Sequence, residues 1–165
     1  MKLKHASHEF PPLYDKDSRI LILGSFPSIK SREQKFFYGH PQNRFWPILA
    51  AIYGENELST IEEKRDFALR HHIALYDSIE ECYIVGSSDS SIRNVIPADL
   101  SPIFHAAKIR CIFTNGKMSA RMFEKYQSTD IPMICLPSSS PANAAWSLEK
   151  LISEWKIIRE MEETS

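Results

Sequence analysis

The sequence predicts an α/β domain, a three-layer αβα sandwich around a central, mainly parallel four-stranded sheet. Three observations carry this. Short apolar runs of strand length alternate with longer runs of helical period. The strand candidates are apolar at consecutive positions, as in strands covered on both faces. No linker, repeat or low-complexity stretch divides the 165 residues. One domain is expected over 1–165, with residues 1–18 as an N-terminal arm.

The elements follow in order. Residues 1–18 are polar around Phe10-Pro11-Pro12-Leu13-Tyr14. Arg19-Ile20-Leu21-Ile22-Leu23-Gly24 reads as the first strand. Ser25 to Asn43 holds Pro27, Gly39 and Pro41 and reads as a long loop, not a helix. A loop of that length points to function rather than connection. Arg44 to Tyr53 reads as a helix stopped by Gly54, with Asn43 as N-cap and Pro47 in the first turn. Ser59-Thr60-Ile61-Glu62-Glu63 offers overlapping capping boxes for a helix to about His71. Ile73-Ala74-Leu75-Tyr76 is a strand, and Gly86 to Ser91 a polar loop. Ser101-Pro102 opens a short helix, and Arg110 to Thr114 is a strand. A helix over Lys117 to Gln127 and a strand over Pro132 to Leu136 follow. Pro137 to Asn143 is a loop, and Ala145 to Glu162 a final helix with a clear apolar stripe.

Ligands of such sheets bind at the carboxyl ends of the strands. That rule directs attention to loops 24–43, 86–91 and 137–143.

Composition narrows the chemistry. The formal net charge is −1, so any nucleic-acid contact is a local patch. Lys30, Arg32, Lys35 and Arg44 would supply it. Three widely spaced cysteines argue against a disulfide framework and against an iron–sulfur cluster. No stretch reaches transmembrane length, and the start lacks an apolar signal core. A reduced, cytoplasmic protein is expected. The turn Gly24-Ser25-Phe26-Pro27-Ser28 lacks the glycines of a dinucleotide fingerprint, and Gly116-Lys117-Met118-Ser119 lacks P-loop spacing. The six histidines form no zinc signature, and His71-His72 reads as a solvated helix end. Neither a metal nor a cofactor is expected.

The informative segment is Phe36-Phe37-Tyr38-Gly39-His40-Pro41-Gln42-Asn43-Arg44-Phe45-Trp46. It sets aromatics beside hydrogen-bonding groups at the expected ligand edge. Phe45 and Trp46 begin an apolar helix and read as core. Tyr38, beside Gly39, reads as a surface aromatic, and packing and base stacking both remain open for it. Asn43 has two compatible readings, a helix cap and a site amide that holds water.

These residues match a family. Gly24 to Ser28, with Tyr38-Gly39-His40-Pro41-Gln42-Asn43-Arg44-Phe45-Trp46, resembles the first motif region of mismatch-type uracil-DNA and thymine-DNA glycosylases. Leu136-Pro137-Ser138-Ser139-Ser140-Pro141-Ala142-Asn143 resembles their second motif. Ser87-Ser88-Asp89-Ser90-Ser91 resembles the hypoxanthine-excising branch of the uracil-DNA glycosylase superfamily. The resemblance spans about residues 19 to 155. There are departures. Phe26 stands where mismatch-type enzymes carry a water-serving Asn, Leu136 stands where His or Asn opens the second motif, and Ser139-Ser140-Pro141 stands where a bulky wedge is usual.

The resemblance implies a monomeric, monofunctional DNA-deoxyinosine glycosylase that acts on DNA containing a deaminated base and has no membrane role. It implies that Asn43 is the catalytic residue and positions water through its amide oxygen. Gly24, Ser25, Phe26, Tyr38, His40 and Asp89 would surround the base. Backbone N–H groups of Ser25 and Phe26 would donate to it, Phe26 or Tyr38 would stack on it, and Asp89 would offset sugar charge. Asp89 also reads as a loop-capping residue. Ser138, Ser139, Ser140, Arg44 and Lys30 would contact DNA. Three other readings stand beside this one: a lesion- or nucleotide-binding module that does not cut, a mismatch-type uracil-DNA glycosylase, and a free nucleoside hydrolase.

Overall fold

A computed structural model describes residues 2–164; Met1 of the expected arm and Ser165 lie outside the described residues. Four strands, β2 (Ile20–Gly24), β3 (Ile73–Asp77), β6 (Cys111–Asn115) and β7 (Met133–Leu136), form a wholly parallel sheet in the order β3-β2-β6-β7. Its central strand β2 is sealed on both faces, with Ile20, Leu21, Ile22 and Leu23 at 0% exposure. All four strands lie where the apolar runs predicted. Helices flank the sheet, and the three-layer α/β expectation holds.

The sequence did not reveal a second sheet. β1 (Lys4–Ser7), β4 (Ile79–Ile84) and β5 (Arg93–Pro97) pair antiparallel in the order β1-β4-β5. The N-terminal arm is therefore part of the fold. It supplies β1, sends Phe10 into the core, and bridges Leu13 to Leu75 on the edge strand β3. Such cover removes a bare strand edge. The chain crosses between the sheets at Ser78, which is buried. Its N–H donates to the Gly24 carbonyl at 2.7 Å, and its hydroxyl lies 3.0 Å from that of Ser119. Ser119 in turn donates to the Leu23 carbonyl at 2.8 Å. These bonds satisfy the polar groups that a sheet-to-sheet crossing would otherwise bury unpaired.

Several expectations change. Residues 25–43 are not all loop, because α1 (Ile29–Gln34) forms inside them. Ser28 caps it by accepting from the Ser31 N–H, and Lys35 ends it in the left-handed region at φ 55°. Pro27 therefore stands just before this helix, and Gly39 lies in the irregular segment that follows it. The helix starting near residue 44 is α2 (Phe45–Ile52), and its N-cap position falls to Arg44. Asn43, one residue earlier, still accepts from the Phe45 N–H at 2.9 Å. The final helix breaks at Lys156 into α6 (Leu148–Trp155) and α7 (Ile157–Glu163).

The other helices keep their expected places as α3 (Ile61–Arg70), α4 (Ser101–Ala106) and α5 (Lys117–Tyr126). Thr60 and Glu63 make the expected capping contacts. His71 and His72 are not a solvated end. His71 pairs with Glu55 and stacks on Tyr53, and His72 pairs with the buried Glu162 at 3.1 Å.

Candidate active site

The parallel register lines up the carboxyl ends of the strands. Gly24 of β2 lies opposite Asp77 of β3, and Asn115 of β6 opposite Leu136 of β7. Three polar side chains from distant parts of the chain meet over this edge. Asn115 Oδ1 accepts from the Ser139 N–H at 3.0 Å, and its Nδ2 donates to Ser139 Oγ at 2.9 Å. Ser139 Oγ donates onward to Asn43 Oδ1 at 2.8 Å. The donor at Phe45 N fixes which end of the Asn43 amide is oxygen. Both lone pairs of that oxygen are thus engaged, by Phe45 N–H and Ser139 O–H. The group left to meet a substrate is the Asn43 amide N–H2, a donor. The expectation that its oxygen holds water is corrected on this point.

Arg44 is turned inward. Nε donates to the Ser139 carbonyl at 3.3 Å, one terminal nitrogen to those of Ser140 at 2.8 Å and Asn143 at 3.1 Å, and the other to Trp146. The Arg44 N–H also donates to the Ser139 carbonyl. The guanidinium expected on a phosphate is used to shape the 139–146 loop. Ser139 is fully buried and its hydroxyl is committed to the two asparagines, so it offers DNA no side chain. Ser138 Oγ accepts from the Ser140 N–H, and Ser140 Oγ from the Ala142 N–H. The loop is internally bonded and packs close to Gly116, where an added Cβ would lie 3.2 Å from Ser138 Cβ. Lys30 sits on α1, half exposed, 3.9 Å from Glu33.

Ser25 Oγ donates to Asp89 Oδ1 at 2.9 Å, which brings loop 86–91 to the end of β2. The Asp89 residue is open to solvent, yet desolvation of its carboxylate pushes the pKa up, with the Ser25 hydroxyl opposing. The backbone N–H groups of Ser25 and Phe26 make no bond to protein acceptors among the described residues, so both remain free to donate. Phe26 is buried in the apolar cluster of the antiparallel sheet, with Arg32 over its ring. Tyr38 is not a surface aromatic. Its ring stacks on Phe45 at 3.8 Å and 10°, with φ at 54°, and its hydroxyl is buried. His40 Nδ1 accepts from the Gln42 N–H in the turn leading to Asn43.

The sequence reading missed Asp77, His8 and Asn115. His8 Nε2 lies 2.7 Å from Asp77 Oδ2, and both side chains are buried. Phe10 and Tyr76 close over the imidazole at 4.3 Å each. Asp77 and Asn115 were findable, since each ends an apolar strand with a polar residue at the edge where ligands bind. His8 gave no such sign. Among the described residues no group of three or more His, Cys, Asp and Glu is placed to hold a metal ion, and no helix is long and apolar enough to cross a membrane.

The profile of the Uracil DNA glycosylase superfamily matches residues 11–162. A hypoxanthine DNA glycosylase of Methanosarcina acetivorans is 34% identical over 151 residues, covering 90% of this chain and 95% of the relative. One from Methanosarcina barkeri is 33% identical over 153 residues, covering 88% and 93%. The solution NMR structure of a candidate uracil DNA glycosylase from Methanosarcina acetivorans superposes with a TM-score of 0.81. It is 32% identical, and the match covers 94% of this chain and 97% of that one.

Proposed function

Since this chain belongs to the uracil DNA glycosylase superfamily, we propose that it hydrolyses the N-glycosidic bond of a deaminated base in DNA, with hypoxanthine as the base. Its relatives named hypoxanthine DNA glycosylases support the substrate. The single observation that carries the site is the chain of bonds from Asn115 through Ser139 to Asn43 over the carboxyl edge of the sheet.

The bonding electron pair passes from the C1′–N bond to the leaving base, a water oxygen then bonds to C1′, and the proton that water loses is balanced by the proton that the departing base anion takes up. Catalysis stabilises negative charge on the base and positive charge on the sugar. With its oxygen held twice, Asn43 meets the substrate as an N–H donor toward the departing base or its attacking water. The free N–H groups of Ser25 and Phe26 add donors aimed at charge that grows as the bond breaks. Asp89, bonded to Ser25, supplies the carboxylate for the sugar side. The nucleotide reaches this edge by leaving the stack. Ser138, Ser140 and Lys30 are the groups we assign to the DNA backbone. We take the enzyme to act as a monomer in the cytoplasm.

The test is single-turnover excision from inosine-containing DNA. Asn43→Ala removes the donor and the acceptor of both the Phe45 N–H and the buried Ser139 O–H; loss of the bond from Phe45 N–H alone costs about 1 kcal/mol of stability. Excision falls roughly a hundredfold or more, as for other preorganised polar groups. Asn43→Asp keeps both accepted bonds but replaces the donor with a charged acceptor, so it stays folded and loses the rate. Excision at the parent rate by a folded Asn43→Ala shows that Asn43 is only a cap. Strand cleavage beside a free-inosine control separates a glycosylase from a binding module and from a nucleoside hydrolase.

A further inference from the structure

We infer that Asp77 and Tyr38 form the device that reads the base, accepting the ring N–H and donating to the adjacent carbonyl of a lactam. The inference rests on the glycosylase reading above and specifies its substrate class. Both atoms converge on one point. A Cβ added to Gly24 would stand 2.4 Å from Asp77 Oδ1 and 2.9 Å from the Tyr38 hydroxyl. The absence of a side chain at Gly24 is therefore what keeps these two polar atoms in place at the end of β2.

Each is held and yet unsatisfied. His8 occupies Asp77 Oδ2 at 2.7 Å, while Asp77 Oδ1 has no hydrogen bond among the described residues. The Tyr38 hydroxyl is buried with no partner there either, although the Asn115 amide lies near. Its ring is fixed by the stack on Phe45. Burial first, and then the charge of Asp77, push the Tyr38 phenol above its usual range, so it keeps its proton and can donate. A buried hydroxyl left unpaired in a folded protein is costly, and a bound ligand that completes it is favoured.

Hypoxanthine presents N1–H beside the O6 carbonyl, a donor next to an acceptor. An acceptor carboxylate and a donor phenol side by side complement that edge. Adenine reverses both positions, with a lone pair at N1 and an amino group at C6. A carboxylate facing the N1 lone pair repels it. Deamination, which turns the amino-imine edge into a lactam, is thus what the pair detects. A site built to bond a polar group rejects the analogue lacking it far better than an apolar pocket rejects a change of size. His8 acts as a positioning residue, because its bond to Oδ2 leaves only Oδ1 for the base.

The test crosses two variants with two lesions, hypoxanthine and 1-methylhypoxanthine, in single-turnover excision from DNA. Methylation removes the N1 donor and leaves O6. Asp77→Asn is isosteric; with its oxygen toward His8 it turns an N–H2 to the base. It slows hypoxanthine excision roughly a hundredfold, but costs 1-methylhypoxanthine at least about tenfold less, because that bond was already gone. Any steric penalty of the methyl group is common to both proteins and cancels. Tyr38→Phe keeps the stack and loses only the hydroxyl. It slows both lesions equally, by roughly tenfold. Equal losses on both lesions for Asp77→Asn overturn the reading of N1, and parent rates for Tyr38→Phe overturn the reading of O6. Parent and variants are assayed below the melting temperature of Asp77→Asn, so that a loss of stability does not stand in for a loss of recognition. Parent enzyme that excises hypoxanthine with a strictly additive cycle refutes this inference alone. Parent enzyme that releases no hypoxanthine refutes the proposed function and this inference with it.

Discussion

At Asp89 opposing effects meet: loss of water, the largest, raises its pKa together with the charge of Asp77, and the Ser25 hydroxyl and Arg121 lower it. A carboxylate whose folded pKa is raised prefers to be protonated in the folded state. Above that folded pKa it is ionised in both states, so its charge weakens the fold at neutral pH. Two outcomes follow if the charged form serves the sugar cation. Excision rates fall in acid along a limb whose midpoint lies above the ordinary Asp value of about 3.9. Asp89→Asn removes that limb, lowers the plateau, and raises the melting temperature at pH 7 while leaving it unchanged in acid. A rate profile with the same acid limb in Asp89→Asn assigns the limb elsewhere and leaves Asp89 as a tether for loop 86–91. Asp89 was visible in the sequence as a polar loop residue. Asp77, its more deeply buried counterpart, was read over because it sits directly behind the strand run Ile73 to Tyr76.

At the scale of elements, the 139–146 loop owes its shape to a side chain from the start of α2. The planar fork of Arg44 reaches the carbonyls of Ser139, Ser140, Asn143 and Trp146 at once. Trp155 of α6 adds a bond from its indole N–H to the Pro137 carbonyl at 3.0 Å. Because Asn43 and Arg44 are adjacent, the loop and the amide we propose as catalytic are set together. Lys cannot reproduce this fork, although it keeps the charge. Arg44→Lys should therefore slow excision at least roughly tenfold and lower the melting temperature, while the dependence of DNA affinity on salt stays as in the parent. An arginine bound to phosphate would behave otherwise, since its loss lowers the log–log salt slope by about 1. An Arg44→Gln variant whose slope falls by that amount returns Arg44 to the DNA interface. None of this was legible in sequence, where an Arg after a candidate catalytic Asn in a ligand-edge loop reads as a cation for DNA. Its role depends on a loop 95 residues further along the chain.

For the whole molecule, the parallel sheet was legible because continuous apolar runs such as Ile20 to Leu23 have one stable use, as buried strands. The antiparallel sheet was not. Its strands carry exposed and half-exposed positions, such as Tyr83 and Ile96, and include Pro97, so their pattern looks like loop. Their order is set by pairing with the N-terminal arm, a contact of high sequence separation that local pattern does not encode. The sheet edge placed the site, while the buried pairs that equip it came only with the fold. The last consequence concerns charge. The net charge is −1, and several cations near the site are committed: Arg44 to the 139–146 loop, Arg32 to the carbonyls of Pro27 and Gly86. Few positive groups are left to displace counterions from DNA. Each neutralised phosphate contributes about 0.9 to the slope of log affinity against log salt. The slope for inosine-containing DNA should accordingly be negative but shallow, far from the value near −10 of a strongly basic binder. Affinity must then rest on holding the extruded base, so an unmodified duplex should bind much more weakly at every salt concentration, with a similar slope. Fluorescence anisotropy with both duplexes across a salt series measures this. A zero slope would mean that the ligand is not a polynucleotide, and a steep one would mean that a basic surface elsewhere on the protein carries the binding.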